Sequence, residues 1–155
     1  RHSQSIELYE YQSLQKLTKS NDLEEMKEII LQYYMYICSR IQDKRIKKVS
    51  NTIAEIKGII DRRYMENLKI NDIAGEVFLS PTYMCLIFKK ETGMTINEYL
   101  THVRIEEGKR LLKDPKIKRS NVGIMVGYEN QSYFARIFKK YVGCTPSEYG
   151  QENDK

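Results

Sequence analysis

Residues 83–99 and 133–149 are two copies of one pattern, fifty positions apart. Tyr83 matches Tyr133, Ile87-Phe88-Lys89-Lys90 matches Ile137-Phe138-Lys139-Lys140, Gly93 matches Gly143, Thr95 matches Thr145, and Glu98-Tyr99 matches Glu148-Tyr149. A repeat at fixed spacing means one supersecondary unit used twice. Any fold for this chain must therefore contain two equivalent parts.

The signals around each copy are helical. Asn71 opens a short helix carrying Ile73, Ala74 and Val77, and Leu79-Ser80-Pro81 breaks it. Ser80 suits an N-cap, and Pro81 suits the first helical position, where its missing N–H costs nothing. The next helix stops at Gly93, a usual C-terminal residue. Two short helices joined by a tight turn predict a helix-turn-helix. Thr95 and Glu98 then form a capping box for a helix over 96–113, about 27 Å long at 1.5 Å per residue, which Asp114-Pro115 ends. Gly108 lies inside that helix at a cost of about 1 kcal/mol relative to Ala, which points to a close backbone approach.

The second unit repeats the plan. Val122, Gly123 and Val126 stand where Ile73, Ala74 and Val77 stood. Gly127-Tyr128-Glu129-Asn130 is a turn one residue longer, Asn130 caps a helix over 131–142, and Gly143 ends it. Thr145-Pro146-Ser147-Glu148 starts a terminal helix to about Gly150, and 151–155 is expected to fray.

Upstream, residues 1–19 are weakly patterned. Ser20-Asn21-Asp22 starts a helix over 22–42, in which Leu23, Met26, Ile30, Tyr34, Ile37 and Ile41 share one face, broadened by Tyr33 and Tyr36. Either that face packs on the rest of the chain, or it serves as a dimerisation or signal-relay helix. Asp43–Lys48 reads as a solvated connection, which sets a boundary near residue 50. Thr52 and Glu55 predict a new capping box, and Ile53, Ile56, Ile59 or Ile60 and Tyr64 a helix to about Arg63. The expected organisation is an N-terminal helical linker or relay segment over 1–50, a double helix-turn-helix domain over 51–150, and a tail. The fold class is all-α, with two helix-turn-helix subdomains joined by a long connecting helix and preceded by linker helices.

The chain's composition narrows its function. Its 155 residues are 41% hydrophobic and 30% charged, which suits a globular domain. A net charge of +5 fits a nucleic-acid partner without establishing one. The run Ile29–Cys38 is interrupted by Gln32 and is too short for a membrane span. Cys38, Cys85 and Cys144 are odd in number and far apart, which fits a reducing cytosol rather than a disulfide framework. With only His2 and His102, no zinc spacing exists. No nucleophile–base pair, metal cluster or phosphate loop is visible, and His102 with Glu106 is a common surface pair. An enzyme is not expected, nor any cofactor, metal, membrane or small-molecule site. A start at Arg1 with no secretory signal is what a piece cut from a larger cytoplasmic protein would show.

The repeated positions Tyr83, Ile87, Phe88 and Tyr133, Ile137, Phe138 are expected in the core. Lys89, Lys90, Lys139 and Lys140 stand beside them on the wet side, where phosphate contacts add affinity without reading sequence. Ser80 and Asn130, at the helix starts, are placed with them at the DNA backbone. The N-terminal part of the second helix of such a unit enters the major groove. That makes Thr82, Cys85 and Leu86 the base-facing set of the first unit, with Gln131, Ser132, Ala135 and Arg136 that of the second. Arg136 can pair with guanine and Gln131 with adenine, each through two hydrogen bonds. Thr82, Cys85 and Leu86 lack such chemistry, and one or both of Cys85 and Leu86 can face the core instead. The second unit should therefore read more than the first.

These residues resemble the DNA-binding domain of AraC/XylS-type transcriptional regulators, over about Ile53 to Gly150. The resemblance is carried by Val126-Gly127-Tyr128, Ser132-Tyr133-Phe134, Arg136, Phe138-Lys139-Lys140, Gly143 and Thr145-Pro146-Ser147-Glu148-Tyr149. Leu79-Ser80-Pro81-Thr82-Tyr83, Phe88-Lys89-Lys90-Glu91-Thr92-Gly93 and Arg104-Ile105 add to it. It implies a seven-helix domain whose two recognition helices enter adjacent major-groove segments of double-stranded DNA. It also implies an activator working with RNA polymerase. Leu86 stands where the family often has Arg or another polar residue, which predicts weaker reading by the first unit. Val122-Gly123 replaces the common Ile-Ala, which predicts a less stable scaffold helix. Gly150 replaces a basic residue, which predicts one backbone contact fewer. Residues 1–50 resemble, more weakly, the helical segment before this domain in two-component response regulators. On the alternative use of its apolar face, 22–42 would be the seam of a homodimer. The competing reading is a helical interaction or relay module with weak or lost DNA binding.

Overall fold

The computed structural model describes residues 2–152, with side chains from 7 to 151, and every regular element in it is helical. The helices are α1 (His2–Lys19), α2 (Leu23–Arg63), α3 (Ile70–Glu76), α4 (Pro81–Thr92), α5 (Ile96–Leu112), α6 (Val122–Met125), α7 (Gln131–Val142) and α8 (Pro146–Glu152). A 3-10 turn, Arg119–Asn121, leads into α6. Part of the tail expected to fray, 151–152, continues α8, and 153–155 lie outside the described residues.

α2 corrects two expectations. Asp43–Lys48 is helical, and Thr52 and Glu55 lie inside the helix rather than at its start. The physical reason is the absence of a breaker. No Gly or Pro occurs between Leu23 and Lys57, and Lys, Arg and Gln are good helix formers. A solvated charge run does not stop a helix. Residues 2–19, weakly patterned in sequence, form α1, and Arg1 lies outside the described residues.

The chain divides into two compact units at Ser50/Asn51, within α2. In the first, Tyr9 of α1 stacks on Tyr36 of α2 with ring centroids 4.1 Å apart, and on Tyr33 at 6.4 Å. Met26, Ile29, Tyr33, Tyr36 and Ile37 are half-buried. The apolar face expected to pack is largely turned to solvent: Leu23, Ile30, Tyr34 and Ile41 are 55–69% exposed. Among residues 7–50 no apolar side chain is fully buried.

The second unit holds two cores. Ile53, Ile56, Ile59 and Ile60 of α2 are buried, as are Ile73 and Ala74 of α3 with Val77 just beyond it, Met84, Ile87 and Phe88 of α4, and Ile96 of α5. Phe88 meets Tyr99 edge-on at 5.7 Å, and the Tyr99 hydroxyl donates to Asp61 at 3.2 Å. The other core gathers Ile105, Leu111 and Leu112 of α5, Val122, Val126 and Tyr128 around α6, and Phe134 and Phe138 of α7. α5 thus feeds one core at its start and the other at its end. Gly108 is buried, and a Cβ there would stand 3.1 Å from Phe134 Cζ, so the close approach anticipated at this glycine is real.

The repeated tyrosines are a correction. Tyr83 is 43% and Tyr133 49% exposed, and the buried residues are their neighbours Met84 and Phe134. Large apolar residues occupy both 83/87 and 84/88, so i, i+4 spacing alone fits either phase. One residue is a 100° rotation of a helix, and the core chose the second phase. Ile137 is half-buried, while Ile87, Phe88 and Phe138 are buried as expected.

Candidate nucleic-acid interface

Both units set their second helix with the same local devices. Ser80, in extended backbone, accepts from the Tyr83 N–H at 3.3 Å, and Pro81 follows at the first helical position. Asn130 accepts from the N–H groups of Ser132 and Tyr133 at 2.8 and 3.1 Å. Ser80 and Asn130 thus have their side-chain oxygens committed to helix starts. Gly93 and Gly143 close α4 and α7 at φ 75° and 93°, in the left-handed region glycine favours. The turns correspond as well. Gly127 has φ 91°, and at the matching place Phe78 has φ 55° with its ring 94% exposed. A Cβ on Gly127 would come within 2.8 Å of the Tyr64 and Met65 backbone, whereas Phe78 has open space for its side chain.

With Met84, Ile87 and Phe88 buried, the opposite side of α4 is presented outward. Thr82, Leu86, Lys89 and Lys90 are exposed and Cys85 is half-buried, and together they line one groove beside the start of α5. Leu86 is 66% exposed, so it is not a core residue. On α7, Ser132, Arg136, Lys139 and Lys140 are exposed and Ala135 is half-buried. The Arg136 guanidinium lies 5.8 Å from the Tyr133 ring centroid, close enough for a cation–π contact that steadies a long side chain. Tyr133, Asn130 and Glu129 also line a cleft with Asn97 and Arg104 of α5. Apart from Gln131, the twelve expected positions fall six to each unit, on two corresponding surfaces.

Gln131 stands apart from them. Its Oε1 accepts from the Gly123 N–H at 2.9 Å, and its Nε2 donates to the Arg119 carbonyl at 3.3 Å. Both ends of the amide expected to pair with adenine are engaged inside the chain. Gly150, where a basic residue was missed in sequence, is buried beneath Arg119, whose Cδ would stand 3.0 Å from an added Cβ.

One residue matters more than its sequence signal suggested. Arg104 of α5 donates from Nε to the Tyr64 carbonyl at 2.7 Å and from a terminal nitrogen to the Glu66 carbonyl at 2.9 Å. Its guanidinium also lies 5.1 Å from the Tyr128 ring centroid. Burial holds its pKa below the usual arginine value. It ties the segment before α3 to the turn before α7, across the connecting helix. Arg104 was visible as part of a motif, but its partners are 38 and 40 residues away and carry no side-chain signature, since it binds their carbonyls.

A family described as a helix-turn-helix domain matches residues 73–152. The Msm operon regulatory protein of Streptococcus mutans is 35% identical over 100 residues, which cover 64% of this chain and 36% of that protein. The chain thus spans about a third of that relative's length. The C-terminal domain of the two-component response regulator YesN from Fusobacterium nucleatum superposes with a TM-score of 0.58 at 32% identity, covering 61% of this chain and 93% of that one. The DNA-binding domain of AdpA, solved with a target DNA, superposes with a TM-score of 0.61 at 19% identity over 64% of this chain and 90% of that one. At that identity the likeness concerns fold alone.

Proposed function

Since this chain belongs to the AraC/XylS family of DNA-binding transcription regulators, we propose that it reads a bipartite site by placing α4 and α7 in successive major-groove segments. One observation carries this reading: the same exposed surface occurs twice, ending in Lys89-Lys90 and in Lys139-Lys140, on helices set by the same caps. α5, which supplies buried residues to both cores, is the spacer. Arg136 and Ser132 are the direct readers of the second half-site, with Ala135 offering a methyl contact. Thr82, Cys85 and Leu86 make apolar or single-bond contacts in the first. The four lysines, with the capped starts at Ser80 and Asn130, bind phosphates.

The likeness to a response-regulator output domain favours a parent protein in which an upstream signal controls this DNA-binding half in the cytoplasm. Activation through RNA polymerase is the corresponding role. The open apolar face of α2, with Leu23, Ile30, Tyr34 and Ile41, favours a homodimer.

Selecting binding sites from a random duplex pool tests the reading. Two boxes about one helical turn apart (roughly 10 bp) are expected, with the box under α7 more sharply defined. Log affinity should fall steeply with log salt, and replacing Lys139 and Lys140 by Ala should reduce that slope by about 1 per lysine. A pool that yields no enriched sequence would favour the relay module instead.

A further inference from the structure

The two copies of the repeat solve one packing problem in opposite ways. In the first, the scaffold helix carries Ala74 and the recognition helix begins with Pro81. In the second, the matching positions are Gly123 and Gln131. Gly123 is buried, and a Cβ there would overlap Gln131 Oε1 and stand 2.9 Å from Phe134 Cβ and 3.0 Å from Phe134 Cγ. The small residue on one helix and the long amide on the other are therefore a matched pair. The amide fills the space the missing methyl leaves.

The amide also meets a need there. The Gly123 N–H lies at the start of α6, where the first N–H groups of a helix have no partner within it. A buried, unpaired N–H is costly, and Gln131 Oε1 accepts it at 2.9 Å. The same amide donates to Arg119 at 3.3 Å. Reading adenine requires both the oxygen and the nitrogen of a glutamine, and both ends are turned onto backbone groups of the chain.

We propose that Gly123 is a specificity-determining residue, because the Cβ it lacks keeps Gln131 folded onto α6 and off the DNA. Gln131 is then a positioning residue that sets the recognition helix α7 against its scaffold. Base reading in this half-site falls to Ser132, Ala135 and Arg136. Gly123→Ala would expel the amide toward the groove and convert it into an adenine reader. This inference rests on the DNA-binding reading above.

The test is site selection with the full chain, comparing the native protein, Gln131→Ala, Gly123→Ala and the double variant, with thermal melts to confirm folding. Gln131→Ala should leave the preferred base at every position unchanged while weakening all sites by a similar factor. Gly123→Ala should gain a preference for adenine at one position, about tenfold over other bases, and the double variant should lose it again. The proposal is overturned if Gln131→Ala erases an adenine preference that the native protein has. It is equally overturned if folded Gly123→Ala gains none. Should Gly123→Ala fail to fold, the Gln131→Ala comparison decides alone. A native protein that enriches no sequence would instead count against the DNA-binding reading itself.

Discussion

At the scale of single residues, placement depended on contacts that spacing does not encode. Gln131 looked like a reader because its position and side-chain chemistry suit adenine. Its actual partners are backbone groups of Gly123 and Arg119, which have no sequence signature. Tyr83 and Tyr133 looked like core because they repeat, yet the repeat is equally well explained by a shared surface. The exposure of Arg136, Ser132 and the lysine pairs was legible, because polar residues opposite a strong apolar stripe have only one place to go. Arg104 yields the sharpest prediction at this scale. Arg104→Ala removes two charge-assisted hydrogen bonds and a cation–π contact, and should destabilise the folded unit by about 2–4 kcal/mol. Arg104→Lys keeps the charge but cannot span two carbonyls with one planar fork, and should recover less than half of that loss. Urea melts measure both. If Arg104 also holds the two readers in register, Arg104→Lys should weaken binding to the two-box site more than binding to the α7 box alone. Equal weakening of both would show that it serves stability only.

At the scale of elements, capping boxes show how a local pattern needs a break to act. Thr95/Glu98 and Thr145/Glu148 follow glycines in the left-handed conformation, and both form: each glutamate accepts from its threonine N–H at 2.7 Å. Thr52/Glu55 has the same spacing but no break before it, and α2 runs straight through. The start of α2 was legible at Ser20-Asn21-Asp22, but its continuation through Asp43–Lys48 was not, because a capping pattern with no break before it does not start a helix. The two working boxes predict a pH dependence. The Thr95 and Thr145 N–H groups, then the threonine hydroxyls, hold the Glu98 and Glu148 carboxylates below the usual glutamate range. A carboxylate whose pKa is lowered by folding contributes stability above its unfolded value and loses it as pH falls through its folded value. Thermal midpoints of the native protein should thus fall on acidification below about pH 5. The Glu98→Gln/Glu148→Gln variant should start lower at neutral pH and fall less over the same window, since its amides still accept but do not titrate. Parallel curves for the two proteins would exclude the capping carboxylates as the titrating groups.

At the scale of the whole molecule, the two units differ in how far they bury their own apolar residues. The unit from Asn51 onward has two cores with fully buried Phe, Ile, Met and Val. The unit before it has none among residues 7–50, and its helices are held by stacked tyrosines and half-buried contacts. The stripe expected on α2 is split in the structure: Met26, Tyr33, Tyr36 and Ile37 are half-buried, while Leu23, Ile30, Tyr34 and Ile41 are exposed. Ile30, Tyr34, Ile37 and Ile41 fall at the alternating steps of four and three that form a coiled-coil seam. A seam of that spacing suits a second copy of the same helix as its occupant. It covers too few heptads for a tight assembly, so the expected outcome is weak self-association, in the micromolar range. Sedimentation of the chain across that range should show a monomer–dimer equilibrium. Ile30→Glu/Tyr34→Glu, both outside the DNA-binding unit and both exposed, should leave helicity and binding to a single site unchanged while shifting the equilibrium to monomer. On DNA carrying two tandem sites, the native protein should bind more steeply with concentration than the variant. A native chain that stays monomeric at tens of micromolar would mean that the seam is covered by something other than its own copy.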